Sequence, residues 1–213
     1  MTLRLAGTAR RYTDFEHMTT PAPTDSRNDL RSDLMLVAFV IAFDVAARLL
    51  PHLPNLAPVA ASALFVGTVL HRRALAPLVP LAVLAISDSV LGFDGWRLSV
   101  FTYIASVIPA LLPMLSGRLR APGMFAPVMI VCSLLFFDIT NFGVWAFSGM
   151  YPLTVDGLLT CYVAALPFLQ HTIVGDLLWA VAFFGGAWLV RKFSHRMFAH
   201  GATGHASTLR PSA

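Results

Sequence analysis

The stretch from Phe136 to Asp176 places polar and ionisable side chains among residues that are otherwise apolar enough for lipid. Its sequence is FFDITNFGVWAFSGMYPLTVDGLLTCYVAALPFLQHTIVGD, and the side chains in question are Asp138, Asn141, Asp156, His171 and Asp176. An ionisable group at membrane depth costs several kcal/mol unless it faces a protein interior or a water-filled cavity. This concentration of such groups therefore indicates a functional site.

Helical spacing can bring several of these groups onto common faces. Asp138, Asn141 and Trp145 are spaced i, i+3 and i+7, and Asp176 and Trp179 are spaced i and i+3. A few convergent polar groups with an aromatic lining are typical of a small-molecule pocket. The alternative is that the acids form a hydrogen-bonded lock between two helices.

Composition indicates the class of protein that carries this site. Hydrophobic residues make up 57% of the 213 residues and charged residues only 12%, and the mean hydropathy is +0.71. A soluble domain usually has about a quarter of its residues charged. The chain is therefore an all-α integral membrane protein.

Six apolar segments account for most of the chain as a single domain. We expect residues 1–32 to be a disordered cytoplasmic tail, residues 33–192 a six-helix transmembrane domain, and residues 193–213 a second disordered tail. The segments run over about Leu34–Leu50, Leu56–Leu70, Ala74–Phe93, Leu98–Leu115, Met124–Ala146 and Thr172–Val190.

Two parts of the chain do not fit simple spans. The second segment is shorter than the ~17–25 residues that a bilayer core requires. The residues from Gly149 to Phe168 are too apolar for an open loop. They predict a short re-entrant or interfacial helix that ends near Pro167.

The distribution of charge predicts the orientation. All lysines and arginines except Arg48 and Arg97 fall on one side if both termini are cytoplasmic, as the positive-inside rule requires. The outer half then contains six aspartates and two arginines, a formal charge of −4. For some of these acids a structural role is equally open, because Asp44 and Arg48 are spaced i, i+4 and can neutralise each other.

The first segment carries small residues at regular spacing. Ala38, Ala42 and Ala46 form an AxxxAxxxA stripe, which allows another helix to approach closely. Cys132 and Cys161 both lie in apolar surroundings and predict packing residues rather than a disulfide or metal site.

Four motifs carry a family resemblance between about Asn55 and Gly186. They are NLAPVAASALFVG, SDSVLGF, TNFGVW and MYPLTVDGLLTCYVAALPFLQHTIVGDLLWAVAFFGG. They resemble a family of uncharacterised bacterial six-helix membrane proteins. That family is remotely similar to the substrate-binding S-components of energy-coupling-factor (ECF) vitamin transporters.

The resemblance implies an ECF S-component-like bundle in the bacterial inner membrane, with an outward-facing pocket. It implies that the alanine stripe docks a transmembrane coupling subunit, which acts with separate ATPases. The chain itself lacks a P-loop. No cofactor is expected, and nothing matches the N-terminal Met-His metal site of the nickel and cobalt members.

These observations predict a transport subunit that takes a small polar or cationic solute from the outer face. A negative potential around the pocket favours cations, and the expected partners are lipid and this solute, with no nucleic acid. The predicted lining residues are Asn55, Asp88, Asp138, Asn141, Trp145, Tyr151, Tyr162, His171, Asp176 and Trp179.

Two other classes of function stay open. A proton-coupled permease would use an Asp/His relay within the membrane. An intramembrane enzyme would use His171 as a base oriented by Asp138 or Asp176, but the sequence has no GxSxG or HExxH motif and no catalytic residue is assigned.

Overall fold

The computed structural model describes residues 26–50, 56–92, 95–121 and 123–205, and the side chains among them from 27 to 193. This part of the chain contains six α-helices. Their bounds are α1 Ser26–Leu49, α2 Val59–Val69, α3 Leu78–Leu91, α4 Trp96–Leu115, α5 Phe125–Phe147 and α6 Val155–His205. Two 3-10 turns, Arg73–Leu75 and Gly117–Arg120, lie before α3 and α5.

Four helical stretches are long and apolar enough to cross a membrane, which confirms the predicted class. They are Arg73–Leu91, Trp96–Leu115, Phe125–Phe147 and Val155–Phe193. The first two turns of α1 are polar, and α2 has only 11 residues. At ~1.5 Å per residue α2 is about 16 Å long, roughly half of a ~30 Å hydrocarbon core.

Prolines and glycines set several helix ends. Pro58 and Pro77 directly precede α2 and α3 with φ of −74° and −63°, values that suit a helix start. The connection from α3 to α4 contains Gly92 and Gly95 with φ of 97° and 101°. Only glycine adopts this backbone conformation readily, so these residues turn the chain sharply.

The predicted break near Pro167 is wrong, because α6 is continuous from Val155 to His205 and contains Pro167 within it. α6 runs antiparallel beside α5: the Cys161 thiol contacts the Asn141 carbonyl oxygen near one end, and the rings of Phe184 and Phe125 stack near the other. A proline costs a helix one hydrogen bond, and packing against a neighbouring helix offsets that cost in a membrane. Residues 155–168 therefore belong to the same helix as the sixth predicted segment.

α2 lies at the centre of the bundle and contacts each of the other five helices. Its residues from 59 to 67 are buried with the exception of the half-buried Ala60, so it has no exposed face. Small side chains allow its neighbours to approach. At Gly67 a Cβ atom would lie 2.6 Å from the backbone oxygen of Ala110 in α4.

A polar contact joins the start of α1 to the turn between α2 and α3. The Asp33 side chain is only 3% exposed and accepts hydrogen bonds from the backbone N–H groups of Arg72 at 2.7 Å and His71 at 3.2 Å. The imidazole Nδ1 of His71 lies 3.0 Å from the same carboxylate. We call this set of residues the inner clamp.

The close approach of α2 and α4 predicts that Gly67→Ala destabilises the protein. The added methyl group would meet backbone, which cannot move aside as a flexible side chain can, and overpacking of this kind costs about 1–3 kcal/mol. The matched control is Gly186→Ala, because a Cβ atom at Gly186 meets nothing within 4 Å. Thermal unfolding in detergent should show a lower melting temperature for Gly67→Ala alone, and equal values for both variants would contradict the observed packing.

The inner clamp predicts a pH-dependent contribution to stability. The hydrogen bond to Asp33 raises the pKa of His71. The contribution of protonated His71 to folding stability is therefore complete below about pH 6.5 and is lost as the pH rises through the raised pKa. Burial would raise the pKa of Asp33, but the hydrogen bonds from Arg72 and His71 outweigh it and lower that pKa. The contribution of Asp33 is therefore present above about pH 4 and is lost only in acid.

His71→Gln should thus lower the melting temperature by ~1–2 °C more at about pH 5.5 than at about pH 8.5. His171→Gln, at an exposed histidine on α6, is the matched control and should show no such difference. A His71→Gln effect of equal size at both pH values would mean that the imidazolium does not stabilise the clamp.

Candidate functional site

A small polar cavity of about 80 Å³ lies where all six helices meet. Each helix contributes to its wall, as α1 does through Arg48 and α6 through Asp176. The other lining residues are Ala57, Val59, Ala60, Leu84, Thr102, Ser106, Phe136 and Thr172. An acid, a base and three hydroxyl groups therefore face a space with largely apolar walls.

The Asp176 carboxylate is the buried charge of this cavity. Its residue is only 4% exposed, and one carboxylate oxygen accepts a hydrogen bond of 2.6 Å from the Ser133 hydroxyl on α5. The Ser133 hydroxyl also lies 3.0 Å from the Met129 carbonyl oxygen, so its single proton has two acceptors. Asp176 is held in place but has no cationic partner in direct contact among the described residues.

Arg48 belongs to a second polar group at the wall of the cavity. Its Nε donates to the Ser87 hydroxyl at 2.7 Å, and its Nη2 forms an ion pair with Asp88 at 2.8 Å. The Tyr103 hydroxyl donates to the other oxygen of Asp88 at 3.2 Å. Asp88 thus neutralises and positions Arg48, which leaves the charge of Asp176 uncompensated.

Asp44 lies one turn before Arg48 and does not pair with it. The residue is fully buried, and one carboxylate oxygen accepts a hydrogen bond from the Ser62 hydroxyl on α2. The other oxygen has no partner among the described residues. The sequence left open an i, i+4 ion pair between Asp44 and Arg48. That pair does not form, because Arg48 pairs with Asp88 instead.

Most of the predicted lining residues lie away from this cavity. Asp138 is exposed and is contacted by Tyr162, whose hydroxyl lies 2.8 Å from its carbonyl oxygen and 3.1 Å from its carboxylate. The Asn141 amide donates to the Phe137 carbonyl oxygen of its own helix at 2.7 Å. The structure thus does not bring Asp138 and Asp176 together.

The remaining predicted residues that the structure describes do not line this cavity. The indole Nε1 atom of Trp145 donates to the Pro152 carbonyl oxygen at 3.1 Å, and that of Trp179 donates to the Leu56 carbonyl oxygen at 2.6 Å. Tyr151 is half-buried and His171 is exposed. Asn55 lies outside the described residues.

Several residues of the cavity were not predicted from the sequence. Thr102 and Ser106 line it one helical turn apart. Ser133 is not part of the lining but donates to the Asp176 carboxylate from the neighbouring helix. The i, i+4 spacing of the two hydroxyl residues is the only sequence signal for them. It is a weak signal, because such hydroxyls commonly bond their own backbone, as Ser106 does with the Thr102 carbonyl oxygen at 2.7 Å.

The described residues contain no group of three His, Cys, Asp or Glu side chains that could hold a metal ion. Cys132 and Cys161 are both buried free thiols. What the cavity offers chemically is one carboxylate acceptor, hydroxyl groups that donate or accept, and the edge of a paired guanidinium.

The fold and the site define an integral membrane protein with a small cavity between its helices, into which a few polar groups face. More particularly, the chain belongs to the family of unknown function DUF6580, which matches residues 28–199. No curated protein and no solved structure matches the chain.

Proposed function

We propose that this protein is a membrane transport subunit that captures a small polar or cationic solute from the outer face, with Asp176 as the counter-ion. The observation that carries the proposal is the buried Asp176 carboxylate, which faces a cavity built from all six helices and has only a serine as its partner. An unpaired charge in a low-dielectric interior is costly. A bound cation would remove that cost.

The charge around the cavity favours the same solute. Asp176, Asp88 and Arg48 together carry a formal charge of −1 when ionised, and only Arg48 is cationic among the lining residues. Apolar walls strengthen the potential that such a charge produces. The hydroxyls of Thr102, Ser106 and Thr172 would orient the solute by hydrogen bonds.

The volume limits the size of the solute. A cavity of about 80 Å³ holds roughly two or three water molecules, because each occupies ~30 Å³ in the liquid. Pockets for drug-sized ligands measure ~300–1,000 Å³. The closed bundle thus suits an ammonium-like group, and a vitamin-sized solute requires the helices to separate.

The distribution of basic residues supports the proposed orientation, with six spans and both termini inside. Arg72 and Arg73 in the turn before α3, and Arg118 and Arg120 before α5, lie at one end of the bundle together with Arg191 of α6. Short connections rich in arginine face the cytoplasm. The cavity with Arg48 and Asp88 lies toward the opposite, outer end.

The remote similarity to ECF S-components leads us to propose a docking role for α1 in a bacterial inner membrane. Ala38, Ala42 and Ala46 are all exposed along α1, and none of the described helices covers them. A coupling subunit that works with ATPases would bind there by close helix approach.

A proton-coupled permease is the second candidate, and one observation favours it. Asp44 is wholly buried with an unpartnered carboxylate oxygen, and Asp176 is nearly as buried. Buried carboxyl groups within membrane spans commonly act in proton relays. His171 is exposed, so we propose the relay without it.

An intramembrane enzyme finds less support. Its proposed base, His171, would need orientation by Asp138 or Asp176. The carboxylates of those residues are hydrogen-bonded to Tyr162 and Ser133 respectively.

Asp176→Asn tests the solute site, since it keeps the shape of the side chain and removes its charge. Binding of ammonium, methylammonium and guanidinium to the detergent-solubilised protein would be measured by calorimetry. We expect a loss of about tenfold or more in affinity, as for a charge-assisted hydrogen bond. Wild-type binding should also weaken as the pH falls, because only the ionised carboxylate attracts a cation.

The matched control is Asp138→Asn, an identical change at an exposed acid outside the cavity, which should bind as the wild type does. Loss of binding in Asp138→Asn alone would place the site elsewhere. If Asp176→Asn binds normally and only its melting temperature falls, the acid is a structural lock. Intact cation binding with loss of pH-dependent transport would favour the permease.

The exposed alanine stripe predicts that Ala42→Leu blocks docking. The larger side chain prevents the close backbone approach that the stripe allows, so copurification of a partner subunit should fall several-fold while expression stays unchanged. Ala85→Leu, at an exposed alanine on α3, is the matched control. Equal copurification and uptake for both variants would assign the stripe to ordinary lipid contact.

A further inference from the structure

A second and larger cavity, of about 490 Å³, lies at the basic end of the bundle. It is lined by the end of α2, by the part of α6 from Val181 to Arg191, and between them by Leu119, Arg120, Ala121, Gly123 and Phe125. It shares no lining residue with the polar cavity. Its volume falls within the range of ligand sites.

Apolar groups form the deep wall of this cavity. The ring of Phe184 stacks on Phe125 with centroids 5.3 Å apart and meets Phe65 edge-on at 5.4 Å. Gly185 lies between these rings and the rim, and a Cβ atom there would meet nothing within 4 Å. The absence of a side chain at Gly185 thus leaves part of the cavity open.

The rim of the cavity is cationic. Arg120 and Arg191 both line it, and the residues that line it include no acid. The Nε atom of Arg120 is buried and has no hydrogen-bond partner among the described residues. A guanidinium with unpaired donors favours an anionic acceptor, and both phosphate and carboxylate oxygens suit it.

The neighbouring residues are those typical of a membrane interface. Trp188 lines the cavity and is 58% exposed, and the ammonium of Lys192 lies 4.6 Å from the centre of its indole ring. Tryptophan and basic side chains are enriched at the level of lipid headgroups. The cavity therefore combines an apolar depth with a cationic rim at headgroup level.

We infer that this cavity binds an anionic phospholipid, with the phosphate between Arg120 and Arg191 and an acyl chain along the wall of Phe65, Phe125 and Phe184. Basic pockets between helices on the cytoplasmic side bind acidic lipid headgroups for the same physical reason. This lipid site shares no lining residue with the solute cavity. The inference therefore does not depend on which transport function is correct.

Native mass spectrometry of the full-length protein tests this inference. The protein would be released from detergent after incubation with dioleoyl phosphatidylglycerol or with dioleoyl phosphatidylcholine, and the bound lipid counted. The wild type should retain phosphatidylglycerol in preference to phosphatidylcholine. Gly185→Leu should abolish retention, because Gly185 lines the cavity and a Cβ atom there meets nothing within 4 Å, so the new side chain takes the space of the lipid chain. The double variant Arg120→Gln with Arg191→Gln should lower it on the order of tenfold.

The chain supplies a matched control for each change. Gly186→Leu adds the same side chain at the next residue, where a Cβ atom also meets nothing within 4 Å but which does not line the cavity. Arg118→Gln removes an exposed arginine of the same turn that does not line it either. Both controls should retain phosphatidylglycerol as the wild type does.

Three results would overturn the inference. They are equal retention of the two lipids by the wild type, undiminished retention by Gly185→Leu, and displacement of the lipid by millimolar inorganic phosphate. The last result would assign the arginines to free phosphate instead of a lipid. If the double arginine variant does not fold, the comparison of Gly185→Leu with Gly186→Leu decides alone.

Discussion

Polar side chains inside a lipid-embedded bundle must find partners within the protein, because neither water nor lipid supplies them. Three such contacts join different helices: Arg48 of α1 to Asp88 of α3, Asp44 of α1 to Ser62 of α2, and Ser133 of α5 to Asp176 of α6. Each pairs a carboxylate with a donor on another helix. These pairs hold α1 against α2 and α3, and α5 against α6.

Some polar groups have all their partners and others do not. The groups with partners stabilise the bundle, whereas the groups without them mark the candidate binding sites. Arg48 and Asp88 compensate each other's charge, and Tyr103 and Ser87 complete their hydrogen bonds. Among the described residues, Asp176 has a hydroxyl partner but no countercharge in contact. Arg120 has the opposite deficiency within the same set, a buried Nε donor without an acceptor. The two cavities thus present opposite charges at different levels of one bundle, negative near Asp176 and positive near Arg120.

The sequence was sufficient for the class of protein and for much of the helical content, because hydropathy reports lipid contact directly. It was not sufficient to predict that α6 continues through Pro167. Whether a proline breaks a helix depends here on the packing of α5 beside it, and local helix propensity does not contain that information. The same holds for the partners of the acids. Asp138 and Asp176 share the residue type and the apolar setting, but only the fold shows that one faces outward and the other faces the cavity. Arg48 was identifiable as polar, whereas its partner Asp88 lies 40 residues away and could not be chosen from spacing.

The length of α6 has a consequence for how the helix lies in the bilayer. The candidate span Val155–Phe193 has 39 residues, which gives a contour of about 58 Å against a hydrocarbon core of ~30 Å. Tilt alone would have to reach roughly 60°, beyond the ~0–40° found for membrane helices. Part of α6 must therefore extend beyond the hydrocarbon core. Asp156 near one end of this span, and Arg191 and Lys192 near the other, are the residues suited to headgroups and water.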